Sequence, residues 1–192
     1  MPILTGSDPT TGRALRGAIL VEGPSDKIAL ETLARRRGRD LADEAVAVIE
    51  MGGVTNIGRH LEQLGNRGIR LAGLCDLGDV EIVMSRLRAA GPGSPDSIDQ
   101  LEGLGFYVCR IDLEDELVRA LGPERVLQVF ERDGRLHKFR TFQTQVEKRL
   151  LPLEVQLWDY LTNWKIHYAG LFVEALDLDQ VPRPLDGVLS QV

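Results

Sequence analysis

The amino-acid sequence predicts an α/β fold: a mainly parallel four-stranded sheet flanked by helices, with a helical C-terminal region. Three observations carry the prediction. Short apolar runs containing β-branched residues recur through the first two thirds of the chain, each closed by a turn and followed by apolar residues at helical spacing. Strands that alternate with helices need right-handed crossovers, and these make the strands parallel. Composition agrees, because 43% of the 192 residues are apolar and only 5% aromatic, as in layered α/β proteins. The length suits one domain with a modest appendage.

The first strand is expected over 18–21 and ends in the turn Glu22-Gly23-Pro24-Ser25-Asp26. A helix over 26–37 follows, with Ile28, Ala29, Leu30, Leu33 and Ala34 on one side, Ser25 able to cap it and Arg35-Arg36-Arg37 at its negative end. Residues 46–51 read as the second strand, Gly52-Gly53 as a loop and 56–64 as a helix stopped by Gly65. The third strand, 69–74, runs into Cys75-Asp76, and a helix over 80–90 is broken by a flexible Gly-Pro loop at 91–95. The fourth strand, 106–111, leads into Asp112-Leu113-Glu114-Asp115-Glu116 and a helix through Leu121. Beyond Gly122 the alternation stops, and 126–130, 155–161 and 169–176 all read as helical. The expected organisation is an N-terminal segment (1–16), an α/β core (17–122) and a helical region (123–192) packed on that core.

Several function classes lack support. No apolar run approaches the ~20 residues of a membrane span, and residues 1–11 lack the order of a signal peptide, so a cytoplasmic protein with no membrane partner is expected. Cys75 and Cys109 each lie in an apolar stretch and read as buried free thiols. The formal net charge of -6 argues against a nonspecific nucleic-acid coat but leaves room for an acidic site that binds cations. There is no P-loop, no glycine-rich dinucleotide fingerprint and no nucleophile signature; His60, His137 and His167 read as helix or loop residues.

The acids stand where a parallel sheet gathers its functional groups, beyond the carboxyl ends of strands. Glu22 closes the first strand, Asp76 the third, and Asp112 with Glu114 the fourth. Each has a structural reading too: Asp26 as a first-turn carboxylate, Asp112 as a helix cap with Asp115 near its capping-box position, Glu116 as a solvated face. Capping does not require an acid to close each of three strands. Like charges crowded together repel, so such a patch is better explained by divalent cations.

The succession strand-Glu22-Gly23-x-x-Asp26-helix, a strand ending at Asp76, then Asp112-Leu113-Glu114-Asp115 resembles the Toprim domain shared by topoisomerases, primases and overcoming-lysogenization-defect (OLD) nucleases. The OLD branch is the better match: its first-strand glutamate is followed by an acid four residues on, and a Leu-Glu-acid signature follows the last core strand. The resemblance spans approximately 18–121. One departure is the run Asp76-Leu77-Gly78-Asp79, where other Toprim domains carry Asp-x-Asp; Asp79 or Glu81 is then a substitute. Another is that OLD nucleases join this domain to an ATPase, so the resemblance implies a stand-alone Toprim protein acting alone or with a separately encoded ATPase partner.

The resemblance also implies a chemistry. Glu22, Asp26 and Asp76 would hold one cation, and Asp112 and Glu114, with Asp115 or Asp79, a second. An all-oxygen site fits Mg²⁺ or Mn²⁺ better than zinc. Glu22 and Lys165 are the expected catalytic residues, Lys165 resembling the C-terminal lysine of OLD nucleases that offsets charge in the transition state. The expected activity is phosphodiester hydrolysis of DNA or RNA, or a related nucleotidyl transfer; the alternative is a non-catalytic nucleic-acid- or partner-binding module. The stretch 132–149, with Arg135, Lys138, Arg140, Phe139 and Phe142, reads as a solvated helix with buried phenylalanines before it reads as a nucleic-acid track. Trp158, Tyr160 and Trp164 read as core.

Overall fold

Four segments of the computed structural model pair as strands, all in parallel: β1 (Gly17–Val21), β2 (Val46–Glu50), β3 (Arg70–Asp76) and β4 (Phe106–Cys109). The structure describes residues 14–65, 67–90 and 93–192. Most of the N-terminal segment, and Gly91 and Pro92 of the expected flexible loop, lie outside the described residues. The sheet order is β2-β1-β3-β4, which places β1 and β3 side by side at its centre. Leu20 of β1 lies opposite Gly73, so Glu22 and Asp76 leave neighbouring strands at nearly the same level.

Both faces of the sheet are covered, which is why the strands read as near-continuous apolar runs. Ile19 and Val21 enter a cluster with α1 (Pro24–Arg36) and α5 (Leu113–Arg132), while Ala18 and Leu20 enter a second cluster. That second cluster is closed by α2 (Ile57–Gly65), α3 (Val80–Ala90) and α4 (Ile98–Gly103). Cys75 belongs to one cluster and Cys109 to the other, so these buried free thiols are held apart by the sheet.

The C-terminal region is helical: α6 (Leu136–Gln143), α7 (Leu153–Leu161), α8 (Lys165–Ala175) and α9 (Arg183–Ser190). Phe130, Phe139, Tyr160, Tyr168 and Phe172 pack edge to face, tilted or, for Tyr168 on Phe172, stacked among these helices, with ring centroids of contacting pairs 4.7 to 6.1 Å apart. α8 lies against both α1 and α5. Arginines at the end of α1 fasten it there. Arg36 donates to the carbonyls of Val173 (2.7 Å) and Leu176 (2.8 Å), Arg35 meets Glu174 at 2.8 Å, and Arg37 pairs with Asp186. Of these, Arg36 satisfies carbonyls that the end of α8 leaves open.

Some elements differ from expectation. Helix α1 starts at Pro24, whose fixed φ suits the first helical position, so Gly23 and not Ser25 stands at the cap. Helix α5 does not end at Leu121 but kinks: Gly122 takes φ 73°, and Pro123 opens the second segment through Arg132. Neither α4 nor α9 was expected, although Ser97 accepts the Gln100 N–H in a capping arrangement legible as Ser-x-x-Gln. Strand β4 stops at Cys109, two residues short of Ile111. In 132–149, Phe139 is buried and Phe142 packs on the core, Arg135 and Lys138 lie over the Trp164 ring, and Lys148 pairs with Asp159.

Candidate functional site

The carboxyl ends of β1 and β3, the start of α5 and the start of α8 open onto one cavity of about 200 Å³. Glu22, Asp26, Asp76, Asp112, Glu114 and Lys165 line it. Glu22 follows β1 directly, and its carbonyl accepts the N–H groups of Gly52 (3.1 Å) and Gly53 (3.3 Å). The positive φ of those glycines, 70° and 112°, turns both amides toward Glu22, so they fix this corner of the chain rather than offer N–H groups to a phosphate. Asp26 reaches back to accept the Gly23 N–H at 3.0 Å, capping α1 while facing the cavity.

Asp76 is the last residue of β3, and the 3₁₀ turn Leu77–Asp79 follows at once. Residues three apart eclipse in such a turn. Glu22, Asp76 and Asp79 accordingly each present a carboxylate oxygen within 4.8 Å of the others. The one-residue displacement from Asp-x-Asp is thus absorbed by local geometry, and Asp79 groups with Glu22 and Asp76 rather than with the acids after β4.

Asp112 caps α5, accepting the Asp115 N–H at 2.8 Å. Its carboxylate also receives the indole N–H of Trp158, at 3.1 and 3.2 Å, and the Lys165 ammonium at 3.1 Å. Glu114, 5% exposed, takes Lys165 at 2.8 Å on one oxygen, while its other oxygen is buried without a partner among the described residues. The structure does not bring Asp115 to the cavity: its carboxylate faces Arg119 at 2.8 Å and Arg110 at 3.7 Å. Glu116, expected on a solvated face, is buried and accepts the Arg110 N–H at 2.8 Å. Trp158 was expected in the core, yet it is exposed and bonded to Asp112; no local signal links residues so far apart in sequence.

The cavity holds more negative charge than its one lysine offsets. Burial, together with the charges of Asp112, Asp26 and Glu22, pushes the Asp76 carboxyl up to about 7. Asp26 is pushed up to about 6, burial outweighing the hydrogen bond from Gly23, with Glu114 and Glu22 adding to the rise. Burial also raises Glu114 despite Lys165. Burial would lower the lysine, but its bonds to Glu114 and Asp112 hold the ammonium above its usual range.

Residues 15–77 match the family described as overcoming lysogenization defect protein-like, TOPRIM domain. The match takes in Glu22, Asp26 and Asp76. The C-terminal region of the OLD protein of Xanthomonas campestris pv. campestris superposes with a TM-score of 0.72 at 24% identity, covering 93% of this chain and 92% of that one. The corresponding region of the Burkholderia pseudomallei OLD protein gives 0.69 at 19% identity, over 92% and 96%. No curated protein matches the chain. Toprim domains of OLD-like proteins are associated with nuclease and nucleotidyl-transfer chemistry. Residues 15–77 are therefore similar to the TOPRIM domain of OLD-like proteins, and the chain has the fold of the C-terminal regions of OLD proteins.

Proposed function

We propose that the chain hydrolyses phosphodiester bonds of nucleic acid with Mg²⁺ or Mn²⁺ held by the acids of this cavity. The observation that carries the proposal is uncompensated charge: among the described residues five carboxylates and one ammonium share one small cavity, and a buried oxygen of Glu114 has no partner. Oxygen-only donors of this number suit hard divalent cations. Glu22, Asp76 and Asp79 would hold one, with Asp26 beside them, and Asp112 and Glu114 another. Bound there, divalent cations supply Lewis acidity to the phosphoryl group and lower the pKa of water.

The chain's own residues do the rest. The backbone hydrogen bonds around Glu22 and Asp112 fix where two of the carboxylates leave the fold, so little reorganisation is needed when charge develops. Lys165 pairs with Asp112 and Glu114 from the first turn of α8, offsetting part of their charge, and would turn toward a non-bridging phosphoryl oxygen. On the same reading residues 17–122 form the working core and 123–192 a buttress that presents Lys165 and Trp158. A binding module without chemistry drew its support from the displaced acid after Asp76, and the grouping of Asp79 with Glu22 and Asp76 takes that support away.

The test is Mn²⁺ titration by calorimetry followed by incubation with end-labelled single- and double-stranded DNA. Mn²⁺-dependent release of product, lost in Asp76→Asn, is the expected result. Absence of metal binding, or cleavage unaffected by Asp76→Asn, overturns the proposal.

A further inference from the structure

The chain is poor in aromatic residues, and it spends nearly all of them inside. Among the described residues Trp158 is the only Phe, Tyr or Trp with an exposed side chain, at 37%. It stands apart from the ring cluster formed by its helix neighbour Tyr160. Its position is fixed, because the indole N–H donates to both oxygens of Asp112, a carboxylate of the functional cavity. A large apolar face left in water costs free energy, whereas an indole whose N–H is already satisfied keeps its π-face available. The surroundings agree: Leu77 follows Asp76, Ile111 precedes Asp112 and Ile166 follows Lys165, and all three are exposed apolar residues next in sequence to the cavity's charged groups.

We infer that Trp158 is a stacking platform for a nucleobase next to the scissile phosphate, so that the substrate enters the cavity with unpaired bases. The inference rests on the hydrolytic reading for the identity of the bond that is cut, but not for its test. A phosphate backbone alone has no use for an exposed indole, whereas every base has a face to stack, and such stacking strengthens binding by about 5- to 150-fold per base. The ring's N–H edge is held within hydrogen-bond distance of Asp112, so a base on its face lies within about one nucleotide of the acids. Paired bases inside a duplex are already stacked on each other and cannot cover the ring without unpairing.

The test uses binding, not turnover. In the Trp164→Phe protein, Trp158 is the sole tryptophan, since the sequence holds two. A short oligothymidylate and an abasic oligomer of the same length and charge are titrated in Ca²⁺, with gels confirming that the oligomers stay intact. The expected result is quenching of Trp158 emission by oligothymidylate alone and an affinity about tenfold higher than for the abasic chain, in keeping with one stacked base. Trp158→Phe should keep that preference, because it keeps a ring while losing the N–H, and Trp158→Leu should erase it. Equal affinity for the two oligomers, binding of neither, or a base preference that survives in Trp158→Leu overturns the inference. If Trp158→Leu fails to fold, base-dependent quenching in the Trp164→Phe protein decides. Base-dependent quenching with no Mn²⁺-dependent cleavage would leave the platform standing and remove the hydrolytic reading; cleavage with equal oligomer affinities would do the reverse.

Discussion

Two carboxylates of this protein, Asp133 and Asp76, are treated in opposite ways by the structure around them. Asp133, at the end of α5, accepts His167 at 2.8 Å and Tyr168 at 3.2 Å and pairs with Arg135 at 3.2 Å. Although burial pulls the other way, these partners hold its carboxyl below the usual range. Asp76, at the end of β3, stands among other acids, and its carboxyl rises to about 7. A carboxylate used to tie helices together is supplied with donors by the protein itself. On the proposed reading Asp76 is kept for an external cation and is crowded with its own kind, at a cost to the ligand-free fold. The surplus charge thus separates the acid proposed to work from the structural one better than burial does.

The largest expected effect that would sharpen this contrast comes from Lys165, the only cation among the described residues that line the cavity. Lys165→Ala should lower Mn²⁺-dependent turnover by about a hundredfold, the range for losing one charge-stabilising donor, while Mn²⁺ affinity by calorimetry is kept. Turnover within a few-fold of the parent would reduce Lys165 to a counter-charge.

Next is Glu114→Gln, which should weaken Mn²⁺ binding at least about tenfold, the lower end of what even outer-shell changes cost, with the far-ultraviolet circular dichroism unchanged. Unaltered affinity would return Glu114 to the first turn of α5 as a helix residue only.

The two carboxylates themselves should respond with opposite sign in the ligand-free protein. Asp133→Asn loses charge-assisted hydrogen bonds of about 1–3 kcal/mol and should lower the melting temperature by several degrees. Asp76→Asn relieves repulsion and should raise it or leave it unchanged. The pH dependence follows from the same shift. The folded-state values of Asp76 and Asp26, about 7 and about 6, lie above the ordinary 3.8, so the folded state binds protons more tightly than the unfolded chain between these limits. Their contribution to ligand-free stability is therefore greatest at the acid end and is lost as pH rises toward 7, while protons compete with Mn²⁺ over the same window. Thermal shifts with and without Mn²⁺ from pH 5 to 8 should show the gain from Mn²⁺ growing with pH. A Mn²⁺ gain that is flat across this range would break the comparison.

The smallest effect is expected at Asp115, whose carboxylate belongs to Arg119 and Arg110. Asp115→Asn should leave Mn²⁺ affinity unchanged and cost no more than about 1 kcal/mol of stability, as for ion pairs whose arginines stay exposed. A loss of metal affinity comparable to that of Glu114→Gln would place Asp115 among the ligands after all.

The sequence by itself determined the fold class and the addresses of most acids. Strand–helix alternation leaves few topologies, and a carboxylate at the end of a parallel strand has its level set by the pairing, as Leu20 opposite Gly73 sets Glu22 beside Asp76. Local backbone chemistry was legible too, in Asp112 as the cap of α5. Tertiary structure decided what no local pattern encodes. The approach of α8 to α1, fastened by Arg35 and Arg36, delivers Lys165 to Asp112 and Glu114, and α7 delivers the Trp158 indole to the same carboxylate. Asp79 turns back to Glu22 through a 3₁₀ turn, and Asp115, one residue from Glu114, points to arginines instead. Neighbouring residues in a helix face different ways, while residues about fifty positions apart meet only where packing brings their helices together, so composition and spacing carry no record of those encounters.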